Sequence, residues 1–171
     1  MFPVLQGLEC DNSLVDRGGE AVIDAAFMNP PVSTEQILHP DKYPAEKPIE
    51  VKISDMTQLL GAGWQNLEQN VLGEWYTFLV LSYGEQVQYR LPEKTARTAA
   101  AGWGGDQYAI YTRKPDGARV LILQTTWDTD KDAGEFFNAF RQYGEARWGD
   151  PSGQDGTHYY WNGTTDGEIL L

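Results

Sequence analysis

The apolar positions of the chain change their period several times, and each change marks an element. From Val4 to Arg17 the residues Leu5, Leu8, Leu14 and Val15 recur at helical spacing until Gly18-Gly19 ends the run, and Glu20 to Met28 predicts a second helix. Pro30 and Pro31 close that helix. Ser33 is then a favoured N-cap, and Thr34, Glu35 and Gln36 open a short helix that Pro40 ends at or before His39. Asp41 to Pro48 reads as a polar, proline-bearing connector, after which Ile49, Val51 and Ile53 alternate with charged residues and predict a half-buried strand.

Gly61-Ala62-Gly63 introduces a further extended segment, Trp64 to Val71. Between Gly73 and Tyr83, Trp75, Phe78, Leu79 and Ser82 fit a helical stripe, although the β-branched and aromatic content also suits a strand; helix is the preferred reading. Pro92 belongs in the first turn of a helix over Glu93 to Ala101, and the cluster Gly102-Trp103-Gly104-Gly105-Asp106 reads as the turn that stops it. Tyr108 to Arg113 and Ala118 to Trp127 predict a hairpin across Lys114-Pro115-Asp116-Gly117. Its second strand is apolar on both faces at Val120 to Leu123, which suggests a central, covered place. Thr129 with Asp132 makes a capping-box-like start to a helix bearing Ala133, Phe136, Phe137 and Phe140, and a last pair of strands, Thr157 to Trp161 and Glu168 to Leu171, surrounds Asn162-Gly163 or Asp166-Gly167.

The order of elements predicts an α+β fold, with an N-terminal helical segment followed by an antiparallel sheet of about four or five strands and helices packed on one face. Residues 1–45 form the helical segment in this reading and residues 46–171 the α+β domain. A chain that opens almost inside a helix and finishes on the apolar Ile169-Leu170-Leu171 is expected to be a fragment of a longer polypeptide.

Charge narrows the partners. A formal net charge of -12, from 25 acidic and 13 basic residues among 171, repels a phosphate backbone, and no Lys/Arg cluster provides a local exception, so nucleic acid is not expected as a partner. There is no run of about 18 apolar residues to span a membrane. The single cysteine, Cys10, excludes an internal disulfide and any cysteine-based metal cluster and is expected as a small buried hydrophobe.

Candidate chemistry concentrates in two places. Glu35 and His39 stand one helical turn apart, where a carboxylate and an imidazole can share a face and do acid-base work or ligate a metal. No His-Glu-x-x-His occurs, however, and His158 sits among Tyr159, Tyr160 and Trp161 as a structural or exposed residue, so no metal site and no cofactor are expected. The second place is the Gly102 to Asp106 cluster, whose glycines permit close approach of a backbone or a ligand. It runs from helix to strand and lacks a lysine, the reverse of a phosphate-binding loop, and its structural reading is a tight turn pinned by buried Trp103 with Asp106 bonded to backbone amides. Asp128, Asp130 and Asp132 begin a calcium-loop pattern that fails at Ala133 and Ala139. The candidate site residues are therefore Glu35, His39, Trp103 and Asp106, with no catalytic residue assigned.

Several strings occur together and in order: Gly18-Gly19, Pro30-Pro31, Ser33 to Pro40, Tyr43, Gly73-Glu74, Ala99-Ala100, Gly102 to Asp106, Trp127-Asp128-Thr129, Asp132-Ala133 and Glu135-Phe136. In these the chain resembles the C-terminal half of large bacterial secreted or envelope proteins whose N-terminal half carries a zincin-type His-Glu-x-x-His helix. The resemblance implies an extracellular or cell-envelope location. It also implies a metal-binding half upstream of Met1, absent from this chain and its natural packing partner. On that reading the chain is a non-catalytic accessory or structural domain. The alternatives are a free-standing module binding a small ligand or peptide in a pocket containing Trp103, Trp127 or Trp161, and a metal-dependent hydrolase using Glu35 and His39.

Overall fold

A computed structural model describes residues 2–164 and 166–171. It is mixed α+β, and its strands form two separate three-stranded antiparallel sheets in place of one larger sheet. The chain divides into two compact units, Met1–Trp75 with Gly102–Asp128, and Tyr76–Ala101 with Thr129–Leu171. The helical N-terminus and the first sheet thus belong to one unit.

The first unit opens with helices α1 (Phe2–Gly18), α2 (Glu20–Met28) and α3 (Thr34–Leu38). Ser33 caps α3 as its type predicts, its Oγ accepting from the Gln36 N–H at 3.2 Å, and the helix stops with His39 at its C-cap. Cys10 and Leu14 of α1 and Tyr43 form a small core with Val22, Ile23, Ala26 and Ile37 around it. Only one side of α1 is used this way. Val4, Leu5, Leu8 and Val15 fall on the opposite side at about 100° per residue and stay exposed, as do Phe27 and Met28 at the end of α2. Arg17 anchors the C-terminal end of α1 by donating to the carbonyls of Pro40 and Tyr43, and the Tyr43 hydroxyl donates to Asn29 O at 2.6 Å.

Residues 49–53 are not a strand. Ile53 is buried and Val51 half-buried, but Ile49, in the same phase of the alternation, is exposed, and side chains replace the ladder. Ile53 N–H donates to Gln107 Oε1 at 2.6 Å, while Gln69 Nε2 donates to Ile53 O at 3.2 Å. After the short helix α4 (Thr57–Leu60), strands β1 (Trp64–Asn70), β2 (Trp103–Arg113) and β3 (Arg119–Trp127) pair in that order. The central strand is β2, not β3, so the apolar run Val120 to Leu123 lies at an edge. Its Leu121 is exposed, while Val120 and Ile122 pack with Ile53, Ala109, Tyr111 and Trp64 on the other face. Apolarity on both faces does not distinguish a covered strand from an edge strand with one bare face.

Strand β2 also begins earlier than its sequence suggests. Gly102 makes the turn at φ 75°, and Trp103 to Asp106 are already strand, with a bulge between Trp103 and Gly105. The glycines here admit backbone: Ile49 N–H donates to Gly104 O at 2.7 Å, and a Cβ on Gly105 would lie 2.3 Å from Ile49 O.

Helix α5 (Gly73–Ser82) begins in the first unit and continues in the second. In the second unit α6 (Glu93–Ala100), with Pro92 at its N-cap, buries Ala96, Ala99 and Ala100. Helix α7 (Asp130–Trp148) is capped by Thr129, whose Oγ1 accepts from Asp132 N–H at 3.2 Å. Strands β4 (Gly153–Asp155), β5 (His158–Thr164) and β6 (Gly167–Leu170) form the second sheet. Trp161 of β5 is fully buried, meeting Trp148 at the point where Gly144 leaves room and donating its Nε1–H to Gly149 O at 2.8 Å. The chain reverses between Thr164 and Gly167, which pair with each other, while Asn162-Gly163 lies within β5; Thr165 is outside the described residues.

Gly105→Ala is expected to lower stability by about 1–3 kcal/mol, the usual cost of forcing atoms into a packed site, because the added methyl meets backbone and not a yielding side chain. Urea unfolding of the two proteins measures it, with Gly117→Ala, where a Cβ has open space but φ is 71°, reporting backbone strain alone.

Candidate functional site

Three carboxylates are buried in the first unit, Glu35, Glu74 and Asp106, and each has a different partner. Glu35 lies on α3 with Gln36, and this very short helix turns both inward. Gln36 accepts from Val32 N–H at 2.8 Å and donates to Glu46 O, which closes the proline elbow on itself. Glu35 Oε1 accepts from Lys42 Nζ at 2.7 Å, and the same ammonium reaches Glu46 Oε1 at 2.7 Å and Asp128 Oδ2. Lys42 is thus the hub of three carboxylates drawn from α3, the connector and the end of β3.

Glu35 is within α3 and His39 is its C-cap, and the two side chains reach different partners. His39 Nε2 lies 2.8 Å from Glu74 Oε1, in the first turn of α5. Glu74 Oε2 is buried with no hydrogen-bond partner among the described residues. Beside this pair, Thr34 Oγ1 accepts from Trp75 N–H at 3.2 Å.

Asp106 explains why α5 starts where it does. Its Oδ1 accepts from Leu72 N–H at 2.7 Å and its Oδ2 from Gly73 N–H at 2.8 Å, while Trp103 Nε1–H donates to Oδ2 at 2.7 Å. The carboxylate therefore caps the helix from outside the local sequence, at the end where the macrodipole favours a negative charge. The expectation of a buried Trp103 and of Asp106 bonded to backbone amides is met. The amides belong to Leu72 and Gly73, more than thirty residues earlier.

The electrostatics follow from burial. Withdrawal from water pushes the Glu35 carboxyl up to about 7, against the pull of Lys42. Burial works the other way on the Lys42 ammonium, but hydrogen bonds from Asp128, Glu35 and Glu46 outweigh it and hold its pKa above the ordinary value. These shifts are compatible, because Glu46 and Asp128 keep the ammonium paired whichever state Glu35 adopts. The hydrogen bond to Glu74 raises His39 despite its partial burial.

Among the described residues, Glu35, Glu46 and Asp128 offer ligand oxygens within 4.8 Å of one another, the spacing of a possible metal site. Lys42 already supplies their cation. Asp128, read from sequence with Asp130 and Asp132, is drawn to Lys42, and Asp132 instead accepts from the Thr129 hydroxyl at 2.6 Å. His158 is exposed in the second unit, its Nδ1 3.1 Å from Asp155 O. Cys10 is buried, and desolvation together with the neighbouring Asp11 pushes its thiol up, away from nucleophilic character. An open cleft of about 390 Å³ in the second unit is lined by α6 and α7, with Lys94, Thr95, Thr98, Glu135, Asn138 and Gln142 supplying its polar groups and no tryptophan on its wall. Among the described residues, no helix is long and apolar enough to cross a membrane.

Lys42 and Glu46 carry no sequence signal of their own, and Glu74 and Gln36 stand in the sequence only within the Gly73-Glu74 and Ser33 to Pro40 strings, without a site role. Glu74 follows Gly73 at a helix start, a common place for an acidic residue, and Lys42 lies in a connector whose path no local pattern fixes.

Lys42→Met is expected to destabilise the protein by on the order of 3 kcal/mol, since it strands a buried carboxylate, and adding Glu35→Gln is expected to restore more than half of that in urea unfolding. Asp106→Asn, which keeps the shape but offers an amide where N–H donors converge, is expected to cost about 2 kcal/mol. Near-ultraviolet circular dichroism of Trp103 monitors the local change.

No curated protein and no solved structure matches the chain. A family model described as a domain of unknown function, DUF8575, matches residues 58–170, a stretch that contains Glu74, Trp103, Asp106 and Asp128 and begins after Glu35, His39 and Lys42. The match spans about two thirds of the chain, and the chain belongs to that DUF8575 family.

Proposed function

We propose that this chain is a non-catalytic accessory domain that packs beside another part of a larger secreted or envelope protein of the zinc-peptidase-like type. The observation that carries the non-catalytic reading is the internal use of every candidate group. Glu35 is tied to Lys42, His39 to Glu74, and both oxygens of Asp106 are occupied by N–H donors. The centre of the acidic trio, where a metal would have to lie, holds the Lys42 ammonium. A hydrolytic metal needs open coordination and convergent ligands, and Glu35 and His39 are directed to separate partners.

The accessory role is supported by the unused apolar side of the N-terminal helices. Val4, Leu5, Leu8 and Val15 on α1, with Phe27 and Met28 on α2, remain in solvent while the opposite side of α1 is buried. Exposed apolar groups that gather on one side of a helix mark an interaction surface. The zincin-like character of the partner, and with it the secreted location, rests on the sequence resemblance alone.

The reading as a pocket for a small ligand or peptide loses most of its basis. Trp103 and Trp161 are each 1% exposed, and Trp127, half-buried, donates its Nε1–H to Thr125 Oγ1 at 3.1 Å.

Metal analysis of the purified protein and a general protease assay test the proposal. The expected outcome is no stoichiometric zinc and no hydrolysis. Zinc at one equivalent, with hydrolysis that His39→Ala abolishes, overturns it.

A further inference from the structure

We propose that His39 and Glu74 form a pH-dependent latch, fastening the proline elbow to the first turn of α5 while the imidazole is protonated and loosening it once the proton is lost. The side-chain contacts between the elbow and α5 include the neutral hydrogen bond from Trp75 N–H to Thr34 Oγ1 and the pair His39 with Glu74. Glu74 is 4% exposed, and its second oxygen has no partner among the described residues, so its compensation falls to His39. An imidazolium supplies both a donor and a charge. A neutral imidazole supplies at most one hydrogen bond and leaves a dry carboxylate beside it, which is costly in a poorly solvated site. The strength of the contact therefore follows the proton.

The groups facing His39 act in known directions. The hydrogen bond to Glu74 of α5 raises its pKa, burial lowers it, the Glu74 charge raises it further, Lys42 of the connector lowers it, and Glu35 of α3 raises it, with a net upward shift. Asp106 of β2 caps the neighbouring residue of α5, and Asp128, just after β3, and Glu46 hold Lys42 in place. A group raised in the folded state gives stability that is complete below its unfolded pKa, about 6.5 for histidine, and that is lost as pH rises through the folded value. Glu35 acts in the same direction over a lower window. Its unfolded value is near 4.5 and its folded value about 7, so it also favours the folded state in acid. A simple fall of stability with pH thus does not identify the latch, and variants must separate the two groups.

The test is a proton NMR titration of the imidazoles together with amide hydrogen exchange. With two histidines in the chain, His158→Gln assigns the resonances. In the wild type His39 is expected to titrate above the ordinary value. Across that titration, the protection factors of the His39, Lys42 and Tyr43 amides, all hydrogen-bonded in the elbow, are expected to fall about tenfold for each unit of upward shift. Glu74→Gln is expected to return His39 to the ordinary value or below and to abolish the fall, whereas Glu35→Gln, which removes only a smaller upward contribution, leaves His39 raised and the fall present. A wild-type His39 that titrates at or below the ordinary histidine value, or an equal loss of protection in Glu74→Gln, overturns the latch. Should Glu74→Gln fail to fold, the agreement between titration shift and protection loss in the wild type decides the matter by itself.

Discussion

A carboxylate taken out of water needs a cation or several donors, and the first unit buries three. Each is compensated differently. Glu35 takes an ammonium, Glu74 takes an imidazole, and Asp106 takes two backbone amides and an indole. Lys42 and Trp103 are near neighbours in sequence of the acids they meet, while His39 and the Leu72 and Gly73 amides come from more than thirty residues away, so the path of the backbone is tied to where the buried charges are answered. In a chain of net charge -12 the few available cations are placed with corresponding economy, and one lysine answers three acids.

The three sites share a geometry as well as a principle. The elbow between Pro30 and Pro40 brings Glu35 and His39 inward, and the connector beyond it supplies Lys42 and then crosses the start of β2, where Gly104 and Gly105 let the Ile49 backbone approach. At the same place Trp103 and Asp106 define the first turn of α5, which holds Glu74 and meets Thr34. The residues that precede the family-matched stretch are in this way bonded into it at Glu74, Gly104, Gln107 and Asp128. Sites that resemble catalytic or metal constellations are used here to join two stretches of chain.

Local rules carried much of the reading. Ser33 and Thr129 are caps because their side chains accept from an N–H three residues on, and Pro40 follows the last turn of α3 because a proline cannot continue it. The amphipathic α7, the α5 helix and the hairpin across Pro115-Asp116-Gly117 were legible for the same reason, since their signals lie within a few residues of the structure they specify. The failures also share a cause. Ile49 to Ile53 alternates like a strand but meets the side chains of Gln69 and Gln107, and Val120 to Leu123 is apolar like a central strand but lies at an edge. Alternation reports which side is buried, and it carries no information on what bonds the backbone or which neighbours flank the strand.

The candidate site divides along the same line. The sequence by itself determined that Glu35 and His39 are four residues apart between prolines, that Trp103 is a buried anchor with Asp106 bonded to backbone amides, and that the chain is acidic and of α+β class. Only the tertiary structure decided that Lys42, Glu74 and Asp128 are the partners, that Glu35 and His39 act on different neighbours, and that the glycine cluster admits backbone. Helix spacing and capping are local and are written in adjacent residues. The neutralisation of a buried charge depends on the distance between groups far apart in the chain, and no local pattern encodes that distance.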